Sequence, residues 1–462
     1  MLEPFSLLPL ALAATGGHVD DYEAQQLIAA GLTLLQRSAP LVRTLAGKRA
    51  AILLPTSPAF YTALAASEGR GAVLINPLAA PLEIAYQLAD AGVGAVFTNS
   101  SLASAVPPNV PRVLLDDAPR SARVVVGGAV RDVDLGSHVG LTIEGDSSAT
   151  GSDEEAAVVY TSAMQGIPLG AILSHRNLLA NARATVQAAE NTPGDTVLAL
   201  LPFAHLFGFT VTGNAPLLAG ARVRTMPRFN PARAAELLAS GEITQVVGVP
   251  TVYRALLAAL ERRDSARLDG VRLCICGGSP LEMALQDRWF DRTGVELRQG
   301  YGLTEAGPVC LFNRADWPNA RGTLGVPFPG VDVSLVAGEI CVRGDNVFHG
   351  YVSGGDRGLQ VVDGWLHTGD AARLNEDGTV AFAGVQKPMF TRNGFNIYPR
   401  EIELALSEMP GVADARVTPQ RTDDGELSIA VEVRGAVTEE AVRAWCARRL
   451  SGYKQPAVIS VL

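Results

Sequence analysis

The stretch Gln299-Gly300-Tyr301-Gly302-Leu303-Thr304-Glu305 follows a short apolar run and carries the chemistry from which the rest of the chain is best read. Its two glycines let a backbone approach a ligand closely. Tyr301 offers a flat face for a base and Thr304 a hydroxyl for phosphate. Glu305 offers a hard oxygen ligand for Mg²⁺. An alternative is that Thr304 only caps a helix beginning at Glu305.

Working outward, short apolar runs alternate with longer amphipathic ones. Ala50–Leu54, Ala72–Ile75, Val96–Thr98, Ala157–Thr161, Val197–Leu201, Gln245–Val249 and Val271–Cys276 are predicted strands. Helices are expected at Pro58–Glu68, Leu82–Ala91, 251–261 and 280–293, with Pro250 opening the third. Such alternation predicts parallel sheets covered by helices. Residues 119–155 depart from it and predict a surface excursion ending in a loop. The chain becomes more β-like from Val331 to Tyr351. After about Gly384 the predicted order is helix Tyr398–Met409, strand Val412–Val417, a turn at Asp423-Asp424-Gly425, strand Leu427–Val433, helix Thr438–Leu450 and strand Ala457–Leu462. That is a small sheet with helices on one side. The fold class is therefore α/β, with a large N-terminal domain of layered sheets, a β-like subdomain and a small α+β C-terminal domain.

Three strands end in glycine- or hydroxyl-bearing loops: Thr161–Gly170, Gly277–Pro280 and Gln299–Gly307. In open α/β sheets ligands gather beyond the carboxyl ends of strands, so the three loops predict one shared crevice. His367-Thr368-Gly369-Asp370 follows Trp365-Leu366. An ionised Asp held by a glycine turn can accept from both hydroxyls of a ribose. The competing reading is an ordinary Asx turn before a strand near Thr379.

Composition narrows the field. At 462 residues more than one domain is expected. The net charge of −9 argues against a nucleic-acid partner. No apolar run approaches the roughly 20 residues of a membrane span. Phe5–Ala14 is apolar, but Glu3 precedes it where a signal peptide carries basic residues, so a short packed element is expected. Five cysteines without metal-ligand spacing predict buried thiols in a reducing cytoplasm, with Cys274 and Cys276 on one face of a strand.

With these residues in view, Gln299–Gly307, Leu366–Asp370 and Gly394-Phe395-Asn396-Ile397-Tyr398-Pro399-Arg400-Glu401-Ile402-Glu403 resemble three core motifs of the acyl-adenylate-forming superfamily. Leu201-Pro202-Phe203-Ala204-His205 is similar to a fourth motif. Gly248-Val249-Pro250-Thr251 and Cys276–Pro280 are similar to further ones. Order and spacing match from about residue 13 to the end.

The resemblance implies an AMP-forming acid–thiol ligase. It would activate a carboxylate, a fatty or aryl acid, with ATP and Mg²⁺ to an acyl-AMP, then pass the acyl group to CoA or a carrier-protein thiol. It implies a domain at residues 1–384 and a small mobile one at 385–462, joined near Lys387, a hinge lysine with a catalytic role. Tyr301 would stack on adenine with Gly278 lining the same pocket. Thr161, Ser162, Gly166 and Thr304 would serve the phosphates, with Thr304 and Glu305 catalytic. Glu305 would hold the metal and Asp370 the ribose. His205 would gate an acyl pocket that Gly277 and Gly302 help to line.

Three departures from the family pattern stand out. The phosphate loop of the family runs Thr-Ser-Gly-Thr-Thr-Gly-x-Pro-Lys-Gly. Here it is Thr161-Ser162-Ala163-Met164-Gln165-Gly166-Ile167-Pro168-Leu169-Gly170, without the lysine. At the hinge the expected arginine is Val385. The family's last lysine-bearing motif is expected beyond Leu462, so the C-terminal domain is read as truncated relative to the family. Lys454, one of only three lysines with Lys48 and Lys387, lies too early to replace it. Removing one donor aimed at transition-state charge costs about 10²–10³ in rate. Adenylation is therefore expected to be weakened unless an arginine such as Arg392 or Arg400 substitutes. The alternative is a non-catalytic homologue that binds acyl-AMP, acyl-CoA or a protein partner.

Overall fold

The computed structural model describes residues 8–67, 71–116, 119–136, 152–161, 166–263, 267–353, 358–385, 389–392, 394–422 and 427–462. Two large sheets carry about the first seven-tenths of the chain, up to Pro327. A nine-stranded sheet runs Val326–Pro327, Val309–Phe312, Leu297–Gly302, Leu273–Cys276, Gln245–Gly248, Thr196–Ala199, Arg222–Thr225, His18–Val19, Tyr22–Glu23. From Leu297–Gly302 to His18–Val19 all pairings are parallel. An eight-stranded sheet runs Leu169–Ser174, Glu155–Thr161, Ala72–Leu74, Arg49–Ile52, Val93–Thr98, Arg112–Leu114, Ser121–Val126, Ala129–Asp134. Its middle is parallel and its edges antiparallel.

The central parallel strands Arg49–Ile52, Ala72–Leu74, Gln245–Gly248 and Leu273–Cys276 are short and almost fully buried, as strands covered on both faces must be. Helices Ala24–Arg37, Pro58–Ala66 and His175–Ala188 share one core with residues of both sheets. Gly31 sets the approach of the first two, because a Cβ there would lie 2.3 Å from the Thr62 carbonyl oxygen. Cys274 and Cys276 point together into a second core, closed by Trp289 edge-on to Tyr253 at 4.9 Å. All five cysteines are unbonded and buried.

A five-stranded sheet follows, formed by Val331–Val336, Glu339–Gly344, Val361–Val362, Trp365–Leu374 and Val380–Val385. Beyond it, the hairpin Phe390–Arg392/Phe395–Ile397, helices Pro399–Ser407 and Glu439–Arg449, and the sheet Val412–Arg421/Leu427–Gly435/Val458–Val461 enclose a core of their own.

The predicted strands and helices are present, with ends moved by up to four residues, the largest shift extending the strand Val412–Val417 to Arg421. The excursion at 119–155 is more regular than expected. Ser121–Val126 and Ala129–Asp134 form a hairpin that extends the eight-stranded sheet. The pattern escaped notice because this edge strand buries one residue in two or fewer. Leu8–Ala13 is a buried helix, the short packed element expected. The turn expected at Asp423-Asp424-Gly425 lies outside the described residues. No described helix is long and apolar enough to cross a membrane.

Candidate active site

The parallel strands Leu273–Cys276 and Leu297–Gly302 end side by side, and the loops after them meet. A Cβ on Gly277 would lie 3.1 Å from Phe207 Cζ and 3.3 Å from the Gly300 carbonyl oxygen. At Gly302 it would fall 1.9 Å from the Pro308 carbonyl oxygen. Gly302 is glycine because backbone packs directly on backbone, and Gly277 because the Phe207 ring and the Gly300 carbonyl leave little room for a side chain. Thr304 is not the helix cap considered above: it opens a single 3₁₀ turn, Thr304–Ala306, preceded by Leu303.

That turn delivers Glu305 into a buried position, 6% exposed. Its Oε1 accepts from the Tyr351 hydroxyl at 2.9 Å and from Thr161 Oγ1 at 3.3 Å. Thr161 ends the strand Glu155–Thr161, so the two sheets are joined at this carboxylate. Burial, then Glu305, pushes the Tyr351 phenol far up, which keeps it a donor. Glu305 Oε2 accepts from no described residue. One oxygen is thus fixed and the other is left as a hard donor, a set that fits Mg²⁺.

Asp370 reaches the same place from the five-stranded sheet. It lies inside the strand Trp365–Leu374, so neither the glycine turn nor the Asx turn expected from sequence is present. Cys341 pairs with His367 and Glu339 with Ala371, so the three residues Thr368–Asp370 on one strand face only Ile340 on the other. The extra residues bulge at Gly369, whose φ is +69°, a left-handed value that favours glycine. Glu339 Oε1 accepts from the Gly369 N–H at 2.6 Å and braces the bulge. Asp370 then accepts from the Tyr301 hydroxyl at 2.7 Å. Burial is the main cause that pushes the Tyr301 phenol well up, with Asp370 adding to it.

His205 follows Phe203, which is 1% exposed and packs edge-on against Phe60 at 5.4 Å and Tyr61 at 5.6 Å. Each such pair contributes about 0.5–1.5 kcal/mol beyond area burial, which anchors the loop. Burial pushes the His205 imidazole down to about 4, so it is neutral near pH 7. Its Nδ1 accepts from the Phe207 N–H at 3.2 Å, which assigns the proton to Nε2. Phe207–Asn214 is a buried π-helix, an irregularity that no residue pattern announces.

The C-terminal unit closes over these residues. A Cβ on Gly394 would lie 2.4 Å from Val249 Cγ1, so this loop also makes a close approach. Phe395 meets His205 edge-on at 6.0 Å and stacks on Tyr453 at 4.1 Å. Beside Tyr453, Lys454 Nζ is bound to Glu83 Oε1 at 2.8 Å and Glu401 Oε1 at 2.5 Å. Ser451 Oγ also donates to Glu83. Sequence reasoning missed Glu83 and Tyr351. The scarcity of lysine was the one signal that Lys454 has a purpose.

One cavity of about 470 Å³ is lined by Thr161, His205, Gly277, Gly278, Tyr301, Gly302, Thr304, Glu305 and Asp370 together. The three strand-end loops do share a crevice. Gly166 does not line it. A Cβ there would meet Leu404 Cδ1 at 2.5 Å and the Arg400 carbonyl oxygen at 3.0 Å, so Gly166 packs under the helix Pro399–Ser407. Ser162 and Lys387 lie outside the described residues. Lys454 is the one Lys or Arg among the described lining residues, and its charge is spent on two glutamates. Leu169 and Val385 line the cavity where the motif pattern has cations. Neither proposed substitute reaches it. Arg392 donates to the Tyr453 and Gln455 carbonyls, and Arg400 pairs loosely with Glu403 at 3.7 Å.

A sequence model of the family described as AMP-binding enzyme matches residues 42–352. A long-chain-fatty-acid–CoA ligase of Escherichia coli is 29% identical over 461 residues, covering 89% of this chain and 82% of its own. A feruloyl-CoA synthase of an Amycolatopsis species is 32% identical over 430 residues, with 89% and 84% covered. Among solved structures, a malonyl-CoA ligase with methylmalonyl-CoA and AMP bound has a TM-score of 0.81 at 28% identity. The likeness covers 100% of this chain and 99% of that one.

Proposed function

The chain belongs to the AMP-binding enzyme family, and from that premise we propose that it is an AMP-forming acid–CoA ligase. It joins a carboxylate to the α-phosphate of ATP, releases pyrophosphate, and transfers the acyl group from the acyl-AMP to the thiol of CoA. The observation that carries this reading is the convergence of Tyr301 and Glu305 from one strand-end loop and Asp370 from a separate sheet on the same cavity.

In this proposal the Tyr301 ring stacks on adenine beside Gly278, and Asp370 accepts from the ribose hydroxyls while Tyr301 holds it in place. Thr304 and Thr161 donate to phosphate oxygens. Glu305 supplies an oxygen to Mg²⁺, which neutralises the phosphates when bound. The acyl chain occupies the apolar part of the cavity near Phe207, Val211 and Phe328, with neutral His205 at its entrance. Ser162 and Lys387 complete the phosphate side and the hinge, whereas Gly166 packs under the helix Pro399–Ser407 away from the cavity. The domains divide at 384/385, in keeping with a separate core that begins at Phe390. The five unbonded cysteines accord with a cytoplasmic location.

Fatty and aryl acids are the proposed substrates, by likeness to the two curated relatives. Thermal shift with ATP, AMP and an acyl-AMP mimic, each with Mg²⁺, tests the nucleotide site. Stabilisation that disappears in Asp370→Ala is expected, and an unmoved melting temperature with all three ligands overturns the reading. A second reading, ligand binding without turnover, is favoured by Leu169 and Val385, which leave the phosphate side without a free cation among the described lining residues.

A further inference from the structure

On the five-stranded sheet, behind the bulge that presents Asp370, three side chains of different chemistry converge. Cys341 and His367 are direct partners on the antiparallel strands Glu339–Gly344 and Trp365–Leu374, so their side chains share a face. Glu339, two residues before Cys341 on its strand, faces the same way. Cys341 Sγ lies 3.5 Å from His367 Nδ1, and Glu339 Oε2 lies 3.0 Å from the same nitrogen. All three ligand atoms fall within 4.8 Å of one another.

A hydrogen bond between Glu339 and His367 accounts for one of these contacts. It does not account for a thiol held against the same nitrogen. Tetrahedral Zn²⁺ has bonds of about 2.3 Å to sulfur and about 2.0–2.1 Å to nitrogen and oxygen. Those lengths put sulfur and nitrogen about 3.6 Å apart and nitrogen and oxygen about 3.3 Å apart. The observed spacings match within a few tenths of an ångström. A sulfur, nitrogen and oxygen set also selects zinc over magnesium or calcium.

The surroundings suit an ion. Glu339 Oε1 is held by the Gly369 N–H, the kind of outer contact that orients a ligating carboxylate. Cys341 is buried, whereas the side chains of His367 and Glu339 are 33% and 20% exposed. The thiol is therefore shielded while the open side of the set faces solvent, where water can complete the tetrahedron. We infer that Glu339, Cys341 and His367 form a binding site for one Zn²⁺-like cation, separate from the Mg²⁺ position at Glu305. Occupancy ties the two strands together beside Gly369 and stiffens the bulge that carries Asp370.

The test uses the full chain, stripped with a chelator and titrated with Co²⁺ and then Zn²⁺. Wild type is expected to take up one Co²⁺ with the visible absorption of a tetrahedral ion and a thiolate-to-cobalt charge-transfer band. Zn²⁺ is expected to bleach both. Cys341→Ser abolishes the charge-transfer band, and His367→Gln weakens Zn²⁺ binding on the order of tenfold or more. A wild-type spectrum lacking the thiolate band overturns the inference whatever the variants do. So does a band that survives in folded Cys341→Ser, since the other four cysteines are buried elsewhere. Neither outcome bears on the ligase reading, because no nucleotide or acid is present.

Discussion

The Tyr301 hydroxyl donates to Asp370 Oδ2 at 2.7 Å, joining residues 69 positions apart from two different sheets. A fixed donor holds the ionised carboxylate in a defined orientation, which suits acceptance from ribose hydroxyls. Tyr301→Phe keeps the ring and removes only that donor. A hydrogen bond to a charged group is worth about 1.5–3 kcal/mol, or roughly 10–100-fold in affinity. ATP affinity measured by calorimetry should fall by that factor, while Asp370→Ala should lose measurable binding. A Tyr301→Phe variant within twofold of wild type would show that the bond has no part in nucleotide binding.

Val385 is the direct cross-strand partner of Asp370, and it is 39% exposed at the cavity edge. An arginine there would stand on the same face as the carboxylate without entering a packed core. Val385→Arg should therefore fold normally and raise the rate of pyrophosphate release about tenfold or more, by supplying charge where phosphate charge develops. An unchanged rate in a folded variant would place the limiting deficit elsewhere, with Leu169 the next position to vary.

Much of the fold was legible because parallel strands buried on both faces leave short apolar runs that stand out between helices. The crevice was legible for a related reason, since glycine is required at Gly302 by a touching backbone, at Gly277 by the Phe207 ring and at Gly278 by a left-handed φ of +80°. The bulge at Gly369 was hidden, because a glycine before an aspartate is equally consistent with a turn. Glu83 was hidden more deeply. It sits on the helix Pro81–Asp90, and nothing local tells that its carboxylate meets Lys454, 371 residues later.

Lys454 with Glu83 and Glu401 ties the C-terminal unit to the eight-stranded-sheet side of the chain. Burial alone would lower the Lys454 pKa, but Glu401 first, then Tyr453 and Glu83, more than offset it and hold it well above the usual value. A raised lysine stabilises below its unfolded pKa and loses that contribution only as pH rises through the folded value, so the contact persists throughout the neutral range. Lys454→Met leaves two buried carboxylates facing each other, and breaking such a pair costs about 3–5 kcal/mol. Faster hydrogen exchange in Pro81–Asp90 and Glu439–Arg449 is expected, and unchanged exchange would contradict a latch.

Asp195 is the main acid-sensitive point of the nine-stranded sheet. Burial pushes its carboxyl up, but Arg272 at 2.7 Å, Thr244 and the Thr192 N–H overcome this and hold it well below the usual range. A depressed carboxylate stabilises above its unfolded pKa of about 3.9 and loses that contribution as pH falls through the folded value. Asp195→Ala removes the carboxylate from a part-exposed Arg272 that keeps the Ala189 and Glu190 carbonyls, and should cost about 1–3 kcal/mol in urea unfolding at pH 7. The gap to wild type should narrow in strong acid, and a gap that stays constant as pH falls below 4 would contradict this assignment.

Acid-dependent pyrophosphate release decides whether the chain turns over. The purified chain is supplied with ATP, Mg²⁺, CoA and a panel of short, long and aromatic carboxylates, with Asp370→Ala as background. The account predicts acid-dependent pyrophosphate and acyl-CoA above that background for at least one fatty or aryl acid. Nucleotide binding with no release for any acid would contradict it and leave the chain a binding protein built on a ligase fold.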